Sequence, residues 1–271
     1  MTHQSSGNFV LAIVAYMILF FLLAPLAIVI PVSLTAGNVP AFPPQGLSLR
    51  WYADFFSDRE WMRALWVSFT LGLVVAATST FVGLCAAFAM SRFIPQSLKS
   101  PIRTLVLAPL IVPAIVGAIA MFLMLSQMGL VSTFPGLVLA HTVLALPYTI
   151  IVLENGLLHL DPALEEAART LGAGRFTRMF RIVLPLMLPS IIGSAVFAFI
   201  TSFDEIVTVL LVGGAFYQTL PVKMFVFLEN ELKPTPAVVS SLLIVGLLAA
   251  QGASFLLRHT LERRRRVVIA D

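Results

Sequence analysis

The chain has 271 residues, of which 59% are hydrophobic and only 11% carry a charged side chain, and its mean hydropathy is +0.98. A soluble domain averages about a quarter charged residues, so the composition excludes a water-soluble enzyme or nucleic-acid-binding module. The net charge of +4 therefore carries information through its placement rather than its sum. A single cysteine, Cys85, excludes an intrachain disulfide and a cysteine-built metal centre.

Several apolar runs exceed the ~20 residues that a helix needs to cross a ~30 Å hydrocarbon core. They lack the polar–apolar alternation of barrel strands, so an all-α integral membrane protein with six spans is predicted. The first span is Phe9 to Val32. No Lys or Arg precedes it and it is longer than a signal-peptide core, so it is read as an uncleaved span. In the second, Ala64 to Met90, Ser79, Gly83 and Ala87 recur every four residues, a small-residue stripe suited to close helix contact. The third, Thr104 to Leu125, holds Pro109 and Pro113; the fourth, Phe134 to Leu153, holds His141 and Pro147. Prolines are tolerated there if neighbouring helices satisfy the freed carbonyls. His141 is expected to be a hydrogen-bonded packing residue, the rival being a functional intramembrane histidine. Glu154 and Asn155 are read as the start of the next loop.

That loop, 154–182, carries four arginines: Arg169, Arg175, Arg178 and Arg181. Asp161 followed by Pro162 reads as an N-cap and first helical residue, and Gly172 or Gly174 as the end of a helix of about ten residues. Ala163, Ala167 and Ala168 keep one side of it low, so a second surface could approach closely, oriented by Glu165, Glu166 and Arg169. The competing reading is a helix lying on the membrane surface.

The fifth span is Val183 to Phe203 or somewhat beyond, and Asp204 and Glu205 follow it. Two placements are open. If the helix continues through Ile206 to Gly214, the carboxylates are buried and suit a cation path; if it stops at Phe203, they are a solvated helix end. The sixth span is Ala237 to Leu257, and Arg263 to Arg266 behind it read as a topological anchor. Segments 91–103, 154–182 and 258–271 hold twelve of the seventeen Lys and Arg, which predicts that these segments and both termini are cytoplasmic. No internal repeat is found, and none of Lys99, Lys223 and Lys233 follows a glycine, so the chain has no phosphate-binding loop of the Gly-Lys-Ser/Thr type.

Glu166, Ala167 and Ala168, three residues, Gly172, nine residues, then Ile182, Val183, Leu184 and Pro185 resemble in full the EAA motif of the membrane subunits of binding-protein-dependent ABC importers. The resemblance implies the type I permease fold over residues 64–257. Residues 1–63 are then a first transmembrane helix and periplasmic loop, and 258–271 a basic cytoplasmic tail. It also implies that Glu166, Ala167, Ala168, Gly172, Ile182, Leu184 and Pro185 dock an ABC ATPase subunit through a coupling helix. The further partners implied are a second permease subunit, a periplasmic substrate-binding protein and the lipid of a bacterial inner membrane, with no cofactor and no covalent chemistry. The stretch from Ser202 to Ile244, with the acidic pair Asp204 and Glu205 and the element Leu220 to Lys223, is similar to spermidine/putrescine permeases, as is His141 to Tyr148. An amine-bearing solute such as a polyamine is the implied cargo. The alternatives are an ion-coupled secondary transporter, which would call for carboxylates in a run, Thr104 to Leu153, that has no charge, and an intramembrane enzyme, for which no His-Glu-x-x-His or Gly-x-Ser-x-Gly pattern is present.

Overall fold

The computed structural model describes the backbone of residues 4–270 and the side-chain surroundings of residues 11–252. In chain order the helices are α1 (Gln4–Ser33), α2 (Arg50–Ser57), α3 (Arg59–Arg92), α4 (Gln96–Ile111), α5 (Ala114–Gln127) and α6 (Phe134–Leu158). They continue as α7 (Pro162–Thr170), α8 (Arg175–Arg178), α9 (Leu184–Phe203), α10 (Val207–Val212), α11 (Leu220–Asn230) and α12 (Thr235–Ala270). Residues Met179–Val183 form a π-helical turn that joins α8 to α9. Such segments are helical because a backbone in hydrocarbon must satisfy its own polar groups.

Among the described residues five helices are long and apolar enough to cross a membrane, and a bent pair makes a sixth candidate. The bent pair corrects the third predicted span: α4 and α5 meet at 104° instead of running through Thr104 to Leu125 as one helix. Val112, held at φ −72° and ψ 130° by the proline that follows it, leaves the helix, and Pro113 caps α5. Pro109 and Pro147, by contrast, are accommodated inside α4 and α6. The fourth span also runs farther than expected, to Leu158, which puts Glu154 and Asn155 in its last turns rather than in the loop.

The chain divides into two compact units. In the first, Met1–Met62 with Met224–Asp271, helices α1 and α12 pack together and α2 packs on α12. The Tyr52 hydroxyl lies 2.7 Å from both Ser33 Oγ and Ser241 Oγ, tying the three helices by one hydrogen-bonded chain. The basic run Arg263–Arg266 lies outside the residues whose side chains are described.

The second unit, Arg63–Lys223, holds the polar and functional candidates. Its predicted small-residue stripe is a contact seam: Ser79, Gly83 and Ala87 are all buried. A Cβ on Gly83 would come within 2.6 Å of Thr149 Oγ1, and that hydroxyl donates to the Ser79 carbonyl at 3.2 Å. Between α6 and α9, Gly156 makes the same allowance for Ser190. Lipid tails are as apolar as leucine, so close approach and hydrogen bonding, not hydrophobic expulsion, hold such seams. His141 is fully buried, with Nδ1 2.9 Å from Ser202 Oγ and Nε2 buried without a hydrogen-bond partner, so the expected hydrogen bonding is met at one ring nitrogen only. Ala87, Phe88, Leu153, Val183 and Met187 form a cluster where α3, α6 and the start of α9 meet.

Candidate functional site

The loop helix α7 is built by its ends. Asp161, in extended conformation at φ −67° and ψ 116°, accepts the Ala163 N–H on Oδ1 at 2.9 Å, and Pro162 occupies the first turn, where its missing N–H costs nothing. At the other end Ala173 N–H donates to Ala168 O at 2.9 Å and Gly172 N–H to Arg169 O at 3.0 Å. This is the Schellman closure, and it requires the left-handed φ of +82° that Gly172 adopts. Gly172, not Gly174, is therefore the helix terminus. Glu165 in the first turn and Arg169 in the last match the helix dipole.

Side chains divide α7 into a seated and a presented face. Ala168 is buried, whereas Glu166, Ala167 and Gly172 are exposed, and Glu166 pairs with Arg169 at 2.6 Å. Leu164 and Leu171 add exposed apolar surface beside them, Leu171 at 87%. The seat is an ion pair that sequence reasoning missed. Arg92, the last residue of α3, donates through both terminal nitrogens to Glu165, with Nη1 2.9 Å from Oε2. No local signal announces a partner 73 positions away. That guanidinium, assisted by the nearby charge of Arg178, holds the Glu165 carboxyl below the usual carboxylate range. Arg175, in turn, lies 5.9 Å from the centre of the Phe93 ring.

The structure separates the seven motif residues into two groups. Glu166, Ala167, Ala168 and Gly172 build or present α7. Ile182 belongs to the π turn, Leu184 packs on the buried cluster, and Pro185 sits at the start of α9. The second group forms the footing on which the loop returns to the membrane.

At its far end α9 stops at Phe203, the second of the two placements left open, and does not continue unbroken through Ile206 to Gly214. The chain breaks and resumes as α10, which packs against α5 and α6. Asp204 is exposed at the break, while Glu205 is half-buried and accepts the Thr208 N–H on Oε1 at 2.8 Å, capping α10. The two carboxylates, adjacent in sequence, thus differ: one is exposed and the other is engaged by backbone. Among the described residues no group of three or more His, Cys, Asp or Glu is gathered to hold a metal ion.

The model of a family described as binding-protein-dependent transport system inner membrane component matches residues 79–267. The chain is 29% identical over 205 residues to the spermidine/putrescine transport system permease protein PotC of Haemophilus influenzae, covering 76% of this chain and 79% of that protein. It is 28% identical over 240 residues to the putrescine transport system permease protein PotI of Escherichia coli, covering 84% and 85%. In structure it is similar to a chain of a bacterial alginate ABC transporter solved with its alginate pentasaccharide-bound periplasmic protein. There the TM-score is 0.69 at 17% identity, over 90% of this chain and 92% of that one. This last likeness is one of fold.

Proposed function

The chain belongs to the family of binding-protein-dependent transport system inner membrane components, and from that premise we propose that it carries an amine-bearing solute such as a polyamine, driven by an ABC ATPase docked on α7. Its standing as a multi-pass permease subunit of an ABC importer, without catalysis of its own, follows from the family and the relatives. The cargo is suggested by the two relatives whose names specify spermidine or putrescine. In this reading residues 64–257 are the transport domain, 1–63 add a span and a periplasmic loop, and 258–271 are a basic tail. Both termini lie in the cytoplasm with the Arg-rich segments.

One observation carries the docking role: α7 is fixed at both ends and by Arg92, yet presents Glu166, Ala167 and Gly172 to solvent. A helix held in this way transmits force between a partner and the spans instead of fraying. Closure of the ATPase pair on ATP would push α7, and through the footing at Ile182 to Pro185 would turn α9 and open the path outward. A second permease chain completes that path, and a periplasmic binding protein delivers the solute. Asp204 supplies a carboxylate to the passing cation, and Glu205 keeps α10 in place beside it.

Cysteine cross-linking tests the docking. In membranes of cells that express the whole transporter, Ala167→Cys should cross-link to the ATPase chain, and Gln45→Cys, placed in the periplasmic loop, should not. A cross-link from Gln45→Cys, or none from Ala167→Cys, would overturn the reading.

A further inference from the structure

Within the second unit, a cleft of about 1040 Å³ opens between the end of α3, the first turns of α4, the end of α6 and the face of α7. Its charge is unbalanced. Three of its cations are matched: Arg92 by Glu165, Arg103 by Glu154 at 3.7 Å and Arg169 by Glu166. Lys99 and Arg178 also line it; among the described residues neither has a carboxylate within ion-pair distance, and Glu165, whose charge Arg178 feels at longer range, is already engaged by Arg92. Arg178 Nε is buried and without a hydrogen-bond partner, so its terminal nitrogens are the part of the guanidinium left to meet a ligand in the cleft.

The level of the cleft names its occupant. Two of its walls are the last turns of membrane-spanning α3 and α6, and a third is the polar start of the bent pair. The charge-free runs of α3 and α6 end here, at Arg92 and Glu154, as spans do on reaching headgroups, and Leu158 beside the cleft is 80% exposed, an apolar wall for a glycerol or acyl chain. Basic pockets between span ends suit lipid phosphates. We propose that this cleft seats the phosphate headgroup of an anionic phospholipid, held between Lys99 and Arg178. A lipid in that position would touch α4 on one side and the Arg92–Glu165 brace of α7 on the other. The membrane's anionic lipid would then stiffen the seat of the docking helix. The inference needs only that the chain spans a membrane, and it survives if the proposed cargo is wrong.

Native mass spectrometry of the full chain, with whatever chains co-purify, tests this by titrating phosphatidylglycerol against phosphatidylcholine. Phosphatidylglycerol should be retained preferentially. Each surface cation adds about fivefold to the attraction, so Lys99→Gln with Arg178→Gln should weaken retention by roughly thirtyfold. Lys99→Gln alone, on a helix with no buried residue, should weaken it about fivefold without disturbing the fold. Arg59→Gln, at the opposite end of α3, should change nothing. Equal retention by wild type and Lys99→Gln, or an equal loss in Arg59→Gln, would overturn the site. Displacement of the lipid by millimolar inorganic phosphate would assign the cleft to a free anion and overturn the lipid proposal.

Discussion

Gly172 separates the two things a helix terminus can do, because its surroundings are open while its backbone is not. Its φ of +82° lies where an L-residue costs about 1–2 kcal/mol, yet a Cβ built on it meets no atom of this chain within 4 Å. Gly172→Ala should therefore pay only the backbone cost, and exchange of the amide hydrogens that close the helix, at positions 172 and 173, should quicken about fivefold or more for ~1 kcal/mol. Gly172→Asn, whose side chain tolerates the left-handed region, should fall between glycine and alanine. Gly172→Trp should match alanine in exchange, because the space around it is empty in this chain. In ATPase co-purification, however, tryptophan should lose far more than alanine, because there the open space belongs to the partner. Equal docking by the Ala and Trp variants would mean that no partner approaches this surface, and the reasoning would fail.

Glu165→Gln should loosen α7 by no more than about 1 kcal/mol, since Arg92 is 41% exposed. Because the Glu165 pKa is depressed, the pairing is complete above the ordinary carboxylate range and is lost only as pH falls through the lowered value. ATPase co-purification should thus be level from neutral pH down to about 5, falling below that in wild type, with no such step in the variant. Gly83→Ala drives a methyl toward Thr149 and should cost about 1–3 kcal/mol, read as a lower unfolding midpoint in detergent. Asp204→Asn should reduce uptake of labelled spermidine by roughly fivefold, whereas Glu205→Gln, which keeps an oxygen acceptor for Thr208, should transport nearly as wild type.

The spans were legible because a run such as Phe134 to Leu153 has no alternative use in water, and α7 because Asp161-Pro162 and Gly172 act within one turn of themselves. The 104° break has a visible cause in Pro113, but whether a neighbour takes up the groups that a proline frees, keeping the span straight, is decided by packing and not by local sequence. Arg92 could not be assigned to Glu165, since nothing in either neighbourhood encodes a contact made by the approach of two helix ends. For Asp204 and Glu205 the apolar composition of Ile206 to Gly214 leaves a longer helix and a stop at Phe203 equally open. Six of those residues do form one, α10, but only after a break that Glu205 caps.

Transport itself decides between a partner-driven permease and an ion-coupled carrier. The decisive measurement is uptake of labelled spermidine into proteoliposomes holding this chain with its co-purifying ATPase, second permease chain and binding protein, with and without ATP and an ionophore. The account predicts uptake that requires ATP and the binding protein and persists after ion gradients are dissipated. Uptake that proceeds without ATP and collapses with the ionophore would contradict it.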